Sequence, residues 1–357
     1  MKINLRIPVG DAILVVVICA GTFNFAAAAD GADKTTMVAR TLGDYVNADG
    51  TSPDGIANNV DDTAAMKAAL GAGPGIVHIG PGHFRFGDVT IPSNVMVTGA
   101  GRATVIHANG ENKTIFRQVD THHWSLRDMV LDGGAARDWK EAKDLGQCGV
   151  LVHGSRDWEM SGLFVRNMNG AGIQMLSVYD AQPWTSKGTI MNVQAAGNYA
   201  GIRFDERAEF INASALGCWN NVIGCVIHGG NIKVTNSNFN SNLTGMLIED
   251  KDNGSHGSIT NCLLNHNHLH SLHCRNAENG MIVNACCFFY ATMLIENSKG
   301  VNITSSQIGC NVTVAGEGVN RIAGNNLHVG KFTREFSPDT ILQDNFTPDR
   351  SWERNRP

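Results

Sequence analysis

The run NVQAAGNYAGIRFDERAEFINASALGCWNNVIGCVIHGGNIKVTNSNFNSNLTGMLIED, residues 192–250, repeats one pattern three times. Gly201-Ile-Arg-Phe-Asp205, Gly224-Cys-Val-Ile-His228 and Gly245-Met-Leu-Ile-Glu249 are equivalent short apolar segments, with Asn-rich sequence between them. The repeat extends in both directions. Similar segments begin near Gly149, Gly172, Ser271, Met293 and Val312, at intervals of about 20 to 30 residues, the sort of period that marks stacked units. Aligning the stretches between them gives a polar column of Ser161, Asn192, Asn212, Asn236, Asn261, Asn284 and Ser305. Six residues beyond most of these comes a second column: Asn167, Asn198, Asn242, Asn267 and Asn311. A parallel β-solenoid explains both columns. Each unit supplies two or three short strands, and units stack about 4.8 Å apart. Asn at a recurring corner tolerates left-handed backbone, and its amide can donate to one neighbour while accepting from the other. The crossover rule for parallel strands makes the coil right-handed.

Composition agrees with a chain full of corners. The 357 residues include 40 glycines and 35 asparagines, with 43% hydrophobic and only 17% charged. That is too little Ala, Glu, Lys and Leu for helical repeats, and too apolar for disorder. A net charge of −5 gives no electrostatic footprint for nucleic acid.

Lys2 and Arg6 precede an apolar run from Ala12 to Ala20, and small residues Ala26 to Ala29 follow. This is the layout of a signal peptide cleaved after Ala29, so the mature protein is expected to be secreted or periplasmic, with no membrane span. Cys19 leaves with the leader. Of the eight remaining cysteines, several fall within strand-like apolar runs and none has metal-finger spacing. Buried free thiols are therefore expected, with Cys286 and Cys287 on opposite faces of a strand.

Asp61-Asp62-Thr63 followed by Ala64-Ala65-Met66-Lys67-Ala68-Ala69-Leu70 reads as a capped amphipathic helix ended by Gly71 and Gly73, suited to covering the open end of a solenoid. With Gly75-Ile-Val-His-Ile-Gly-Pro-Gly-His-Phe84, Ile91-Pro-Ser-Asn-Val95 and Gly99-Ala-Gly-Arg-Ala-Thr-Val-Ile106, this segment resembles the start of pectate-lyase-like right-handed parallel β-helix proteins. The resemblance implies an all-β right-handed parallel β-helix with an N-terminal capping helix. The divisions are then residues 1–29 leader, 30–92 cap and first strands, 93–330 rungs and 331–357 tail. It implies action on carbohydrate polymers but no single reaction, because the superfamily holds lyases, glycoside hydrolases, epimerases, fructan-acting enzymes and phage tailspikes. The paired aspartates, Gly-His-Gly and Arg-x-Lys of polygalacturonases are absent, and so is the Asp-Pro-His-Asp of mannuronan epimerases.

Strand alternation sorts the repeat into inward and outward positions. Inward positions are apolar: Ile202, Phe204, Cys225, Ile227, Met246, Ile248, Leu272 and Cys274 are examples. One outward column runs His153, Leu176, Asp205, His228, Glu249, Arg275, Glu296, and beside it runs Leu151, Gln174, Arg203, Val226, Leu247, His273, Leu294. The first column is rich in acids and histidines, where an ordinary solvated face would carry Lys, Ser and Thr. The two long insertions that border it, residues 133–147 and 178–188, each carry a tryptophan, Trp139 and Trp184. These rings could stack on sugars as groove walls, or simply pin their own loops.

Carboxylates two rungs apart, Asp205 with Glu249 and Glu249 with Glu296, would be separated by about 9 to 10 Å, near the top of the range for inverting glycoside hydrolysis. Asp205, Glu249, Glu296 and His228 are therefore candidate catalytic residues, and Arg203, His273, Arg275, Trp139 and Trp184 candidate substrate-binding residues. A lyase competes, with His273 or Arg275 as base and calcium on Glu249, Asp250 and Asp252; without it no cofactor is called for. A glycan-binding adhesin without chemistry is the third reading. His266, His268 and His270 alternate but coincide with a repeat corner, so a polar turn is expected there in preference to a metal site.

Overall fold

The computed structural model describes residues 37–56, 60–110, 112–134, 138–177, 184–250, 254–328 and 333–347, and the backbone alone of residues 3–9, 12–19 and 22–28. Side chains of residues 1–29, the position of Asp252 and most of the 178–188 insertion lie outside the described residues. Among the described residues the chain winds through about 11 turns of parallel β-solenoid, with one α-helix, Thr63–Gly71. Each complete turn lays down three strands. One such turn is Ala200–Phe204, Asn212–Ser214 and Gly217–Trp219, and the next is Ile223–Ile227, Ile232–Thr235 and Asn238–Asn240. Pairing is in register from rung to rung: Ile173, Ile202, Cys225, Met246, Leu272 and Met293 form one unbroken row. All of them are buried, as are the Val152, Met175, Phe204, Ile227, Ile248, Cys274 and Ile295 of the neighbouring row. The inward assignments from sequence therefore hold. Parallel pairing starts at Val38–Gly75 and continues to Arg321–Ile341, so stacked strands run beyond residues 93–330 at both ends.

The helix buries Ala65, Met66, Ala69 and Leu70 in the same core as Val77, Phe84 and Phe86, so it closes the N-terminal end. Asp62 does not cap it. Its carboxylate instead accepts from the Arg85 backbone and the Asn47 side chain, tying the helix to the first rungs, while Arg40 donates to the carbonyls of Ala69, Ala72 and Pro74.

The corners use asparagine in two ways, and the structure corrects part of the column reading. One corner is a residue at positive φ: Gly162, Asn192, Ala215, Asn236, Asn261, Ala285 and Ser305. Ser161, Asn212 and Asn284 sit one to three residues before it, inside or at the edge of strands. The other is a pair, a positive-φ residue (Gly197, Asn220, Ser241, His266) followed by a buried Asn (Asn198, Asn221, Asn242, Asn267). These four form the ladder. The Asn198 amide nitrogen donates to the side-chain oxygen of Asn221 at 3.1 Å, Asn221 to Asn242 at 3.0 Å and Asn242 to Asn267 at 3.2 Å. Each oxygen also takes the backbone N–H of the Asn before it, at 3.0 Å, so no polar atom is stranded. Asn167 is itself a positive-φ corner one residue early, and Asn311 lies inside a strand opposite Thr292.

Beside the ladder stands a column of Gly149, Gly172, Gly201, Gly224 and Gly245. A methyl on any of them would come within 2.5 to 2.7 Å of a carbonyl oxygen in the next rung. Only glycine lets the rungs close up there. Where Ser271 interrupts the column, the register shifts between His270 and Leu272. The eight cysteines of the described residues are free thiols; seven are buried, and Cys286 points inward while Cys287 is half-exposed.

Candidate active site

The outward columns form as the alternation requires. Gln174, Arg203, Val226, Leu247, His273 and Leu294 are in register, and so are Glu249, Arg275 and Glu296. Their charged groups pair along the face in two sets, one from Arg203 through Asp205, His228 and Glu249 to Arg275 and the other His273 with Glu296. Asp205 accepts from His228 Nδ1 at 2.8 Å and from Gln174 Nε2 at 2.6 Å, and Arg203 lies 3.2 Å away. His228 Nε2 faces Glu249 Oε2 at 3.4 Å, out of line for a hydrogen bond. The other Glu249 oxygen takes both Nε and Nη2 of Arg275, at 2.9 and 2.8 Å. One column over, His273 Nε2 meets Glu296 Oε1 at 2.8 Å.

Exposure rises along this network. Asp205 and His228 are 7% and 4% exposed, whereas the side chains of Glu296 and Arg275 reach 34% and 44%. Burial works to raise the Asp205 pKa. The hydrogen bond from His228, the Arg203 charge and the hydrogen bond from Gln174 outweigh burial and hold it down at about 2. Burial likewise opposes the charge on Arg203, but Asp205 and Asp144 more than compensate and push its pKa up.

The two expected walls differ. Residues 138–147 form a strap along one edge of this face. Trp139, in a short 3-10 turn, packs on His268 with ring centroids 5.6 Å apart. Farther along, Asp144 pairs with Arg203, Leu145 N–H donates to the Asn169 carbonyl, and Gln147 accepts from Asn169 N–H. Trp184 is held under the Arg207 guanidinium, 5.1 Å from its ring, at the opposite corner. So Trp139 lies at the strap edge of this face, while Trp184 stands at another corner of the rung, against Arg207.

His266, His268 and His270 separate to different partners. His266 packs on Tyr290, His268 on Trp139 and His270 beside His273, as a polar turn would have them. Asp250 is consumed by structure, accepting from Ser255 and from the backbone of Glu278, which leaves it poorly placed to serve calcium. Among the described residues no group of three His, Cys, Asp or Glu side chains is arranged for a metal. Sequence reasoning did not find the roles of Asp144, Gln174 and Cys148. Gln174 was visible in its column, but its bonds to Asp205 and, through its oxygen, to the Cys148 thiol depend on side-chain reach.

No family model matches the chain. A mannuronan C5-epimerase of Azotobacter vinelandii, AlgE3, is 32% identical over 136 residues, 31% of this chain and 7% of that protein. The chain therefore spans a small fraction of that relative's length. The A-module of the mannuronan C-5 epimerase AlgE6 from the same organism superposes with a TM-score of 0.54 at 18% identity, covering 87% of this chain and all of the module. The tailspike gp49 of the Acinetobacter baumannii bacteriophage Fri1, a capsular polysaccharide depolymerase, gives 0.56 at 12% identity over 96% of this chain and 66% of its own. These likenesses show a right-handed parallel β-helix. Among the described residues no helix is long and apolar enough to cross a membrane.

Proposed function

We propose that this protein is a polysaccharide-acting enzyme whose substrate lies across the exposed end of the charge network, at Glu249, His273, Arg275 and Glu296. The observation that carries this is the ladder itself. Four successive rungs present Asp205, His228, Glu249 and Arg275 on one outward column, each held by its neighbour at 2.8 to 3.4 Å. A merely solvated face has no need to bury such charges. The kinds of protein that share the fold, an epimerase module and a depolymerase among them, favour a polymeric sugar.

Hydrolysis fits the arrangement well. Glu249 and Glu296 are two rungs apart, about 9.6 Å by strand spacing, at the edge of what an acid, a water and a base require. Glu249, with one oxygen on the Arg275 guanidinium, is the base that takes a proton from water. The Glu296–His273 pair shares a hydrogen at 2.8 Å and supplies it to the departing glycosidic oxygen. Asp205 keeps a place in the constellation as a positioning residue. A carboxyl held near pKa 2 has no proton to give at neutral pH, but it fixes the ring of His228. A second reading, proton abstraction next to a uronate carboxylate, draws on the 32% identity to a mannuronan C5-epimerase and gives His273 the base role and Arg275 the carboxylate. A polymeric substrate of this kind favours work outside the cytoplasm.

Assays on pectin, alginate and fructan separate the readings. Reducing ends without an unsaturated-uronate absorbance indicate hydrolysis, and that absorbance, or an inverted uronate seen by NMR in an uncut chain, indicates proton abstraction. Glu249→Gln and Glu296→Gln should each reduce turnover at least a hundredfold. Full activity in both variants would remove them from the chemistry, and glycan binding with no product on any polymer would leave an adhesin.

A further inference from the structure

We propose that the groove is blind at one end and acts on chain termini, a conclusion that rests on the polysaccharide-acting reading above. Three observations close the end nearer the N-terminus. First, Asp144 of the strap, Arg203 of the middle column and Asp205 of the far column form an ion-paired bar across the width of the face. Second, Cys148, Leu151, Ala171 and Ala200 on the near side of this bar, with Val226 one rung beyond it, are buried in a second apolar cluster separate from the main core. Third, Gln174, in the rung directly behind Arg203, is fixed on both sides, by the Cys148 thiol and by Asp205.

The other end is different. Leu247, His273, Arg275 and Glu296 are part-exposed or exposed, and Trp139 flanks this portion from the strap edge. A polymer threading the whole face would have to displace the bar, separating a part-buried Arg203 from two carboxylates. Breaking its pair with the mostly buried Asp205 is unfavourable. A chain end entering from the Glu296 side meets no such obstacle, and stops against Arg203 with its terminal rings beside Glu249 and Glu296.

The test is the size of the products. Alginate, pectin and fructan are incubated with the full chain, and size-exclusion profiles are read at low conversion together with reducing ends. For a reaction that leaves the backbone intact, NMR locates the altered residues along the polymer. Chain-end action predicts one small product from the first time point, or altered residues confined to the terminus, with the polymer peak shortening slowly. A ladder of intermediate sizes from the outset, or altered residues scattered along the chain, overturns the blind groove and leaves the enzyme reading standing. No product and no altered residue on any of the three polymers overturns the enzyme reading, and the blind groove with it. Asp144→Ala combined with Trp139→Ala loosens the strap and should raise the share of intermediate sizes at least fivefold. An unchanged profile in that folded variant, verified by circular dichroism, would show that the strap does not set the mode of attack.

Discussion

Replacing Asp205 by Asn asks whether the buried end of the charge network stabilises this fold as its geometry requires. Asp205 is almost inaccessible, and burial alone would raise its pKa; its partners hold it at about 2 instead. Against an ordinary aspartate near 4, that difference of about two units corresponds to roughly 2–3 kcal/mol of folding stability. The sign follows from a depressed pKa. The contribution is complete above about pH 4, where the unfolded carboxyl is ionised, and it disappears as pH falls through about 2. The amide of the Asp205→Asn variant does not titrate, and it faces the Arg203 guanidinium without a compensating charge. Calorimetric melting of both proteins from pH 7 to pH 2 therefore has a definite expected outcome. The variant melts several degrees lower at pH 6–7, and the gap narrows steadily between pH 4 and pH 2. Other carboxylates titrate in both proteins and cancel in the difference. A gap that is constant over this range, or no gap at neutral pH, would refute the assignment of Asp205 as a buried, ionised partner of His228 and Arg203.

Three further outcomes follow from the packing. Asn221→Ala removes the acceptor for two buried donors of Asn198 and should destabilise by about 2–5 kcal/mol in urea unfolding; a loss below about 1 kcal/mol would mean that the ladder is decorative. Gly224→Ala places a methyl 2.5 Å from the Gly245 carbonyl and should cost about 1–3 kcal/mol, whereas Gly71→Ala, with open space around it, should be neutral or stabilising. A thiol reagent added to the native protein should leave Cys218, Cys225 and Cys274 untouched, because burial pushes all three thiols up; rapid labelling of any of them would contradict their place in the core.

The solenoid was legible in the sequence because its constraint repeats. Inward rows must be apolar at every rung, and a one-residue slip would expose them all, so Ile202, Cys225 and Met246 betray their phase. The corners were legible only approximately, for a physical reason. What recurs there is a positive φ followed by a buried amide, and the positive-φ position accepts Gly, Asn, Ser, His or Ala. Asn221 was missed because the first column took Asn212 for the corner; the corner is Ala215, and Asn221 lies six residues beyond it. Ala215 and Ala285 occupy corners with no chemical signature, held there by the rungs on either side.

The site was legible as an outward column of ionisable residues and illegible as a network. Alternation places Asp205, His228 and Glu249 on one line, but it does not say that Asp205 is inaccessible and Glu296 open. That difference comes from the strap, whose Asp144 reaches Arg203 across 59 residues of sequence. The length of the 133–147 insertion and its tryptophan announced a wall. Its path from His268 back to Asn169 depends on contacts that no local pattern encodes.

A crystal structure with a bound oligosaccharide, from whichever of alginate, pectin or fructan is turned over, tests the central claim most directly. Sugar rings are expected on the outward face between Arg203 and Glu296, with Glu249 and Glu296 flanking one linkage and the terminal ring against the Asp144–Arg203–Asp205 bar. An oligosaccharide on either of the other two faces, or one running past Arg203 toward Leu151, would contradict that claim.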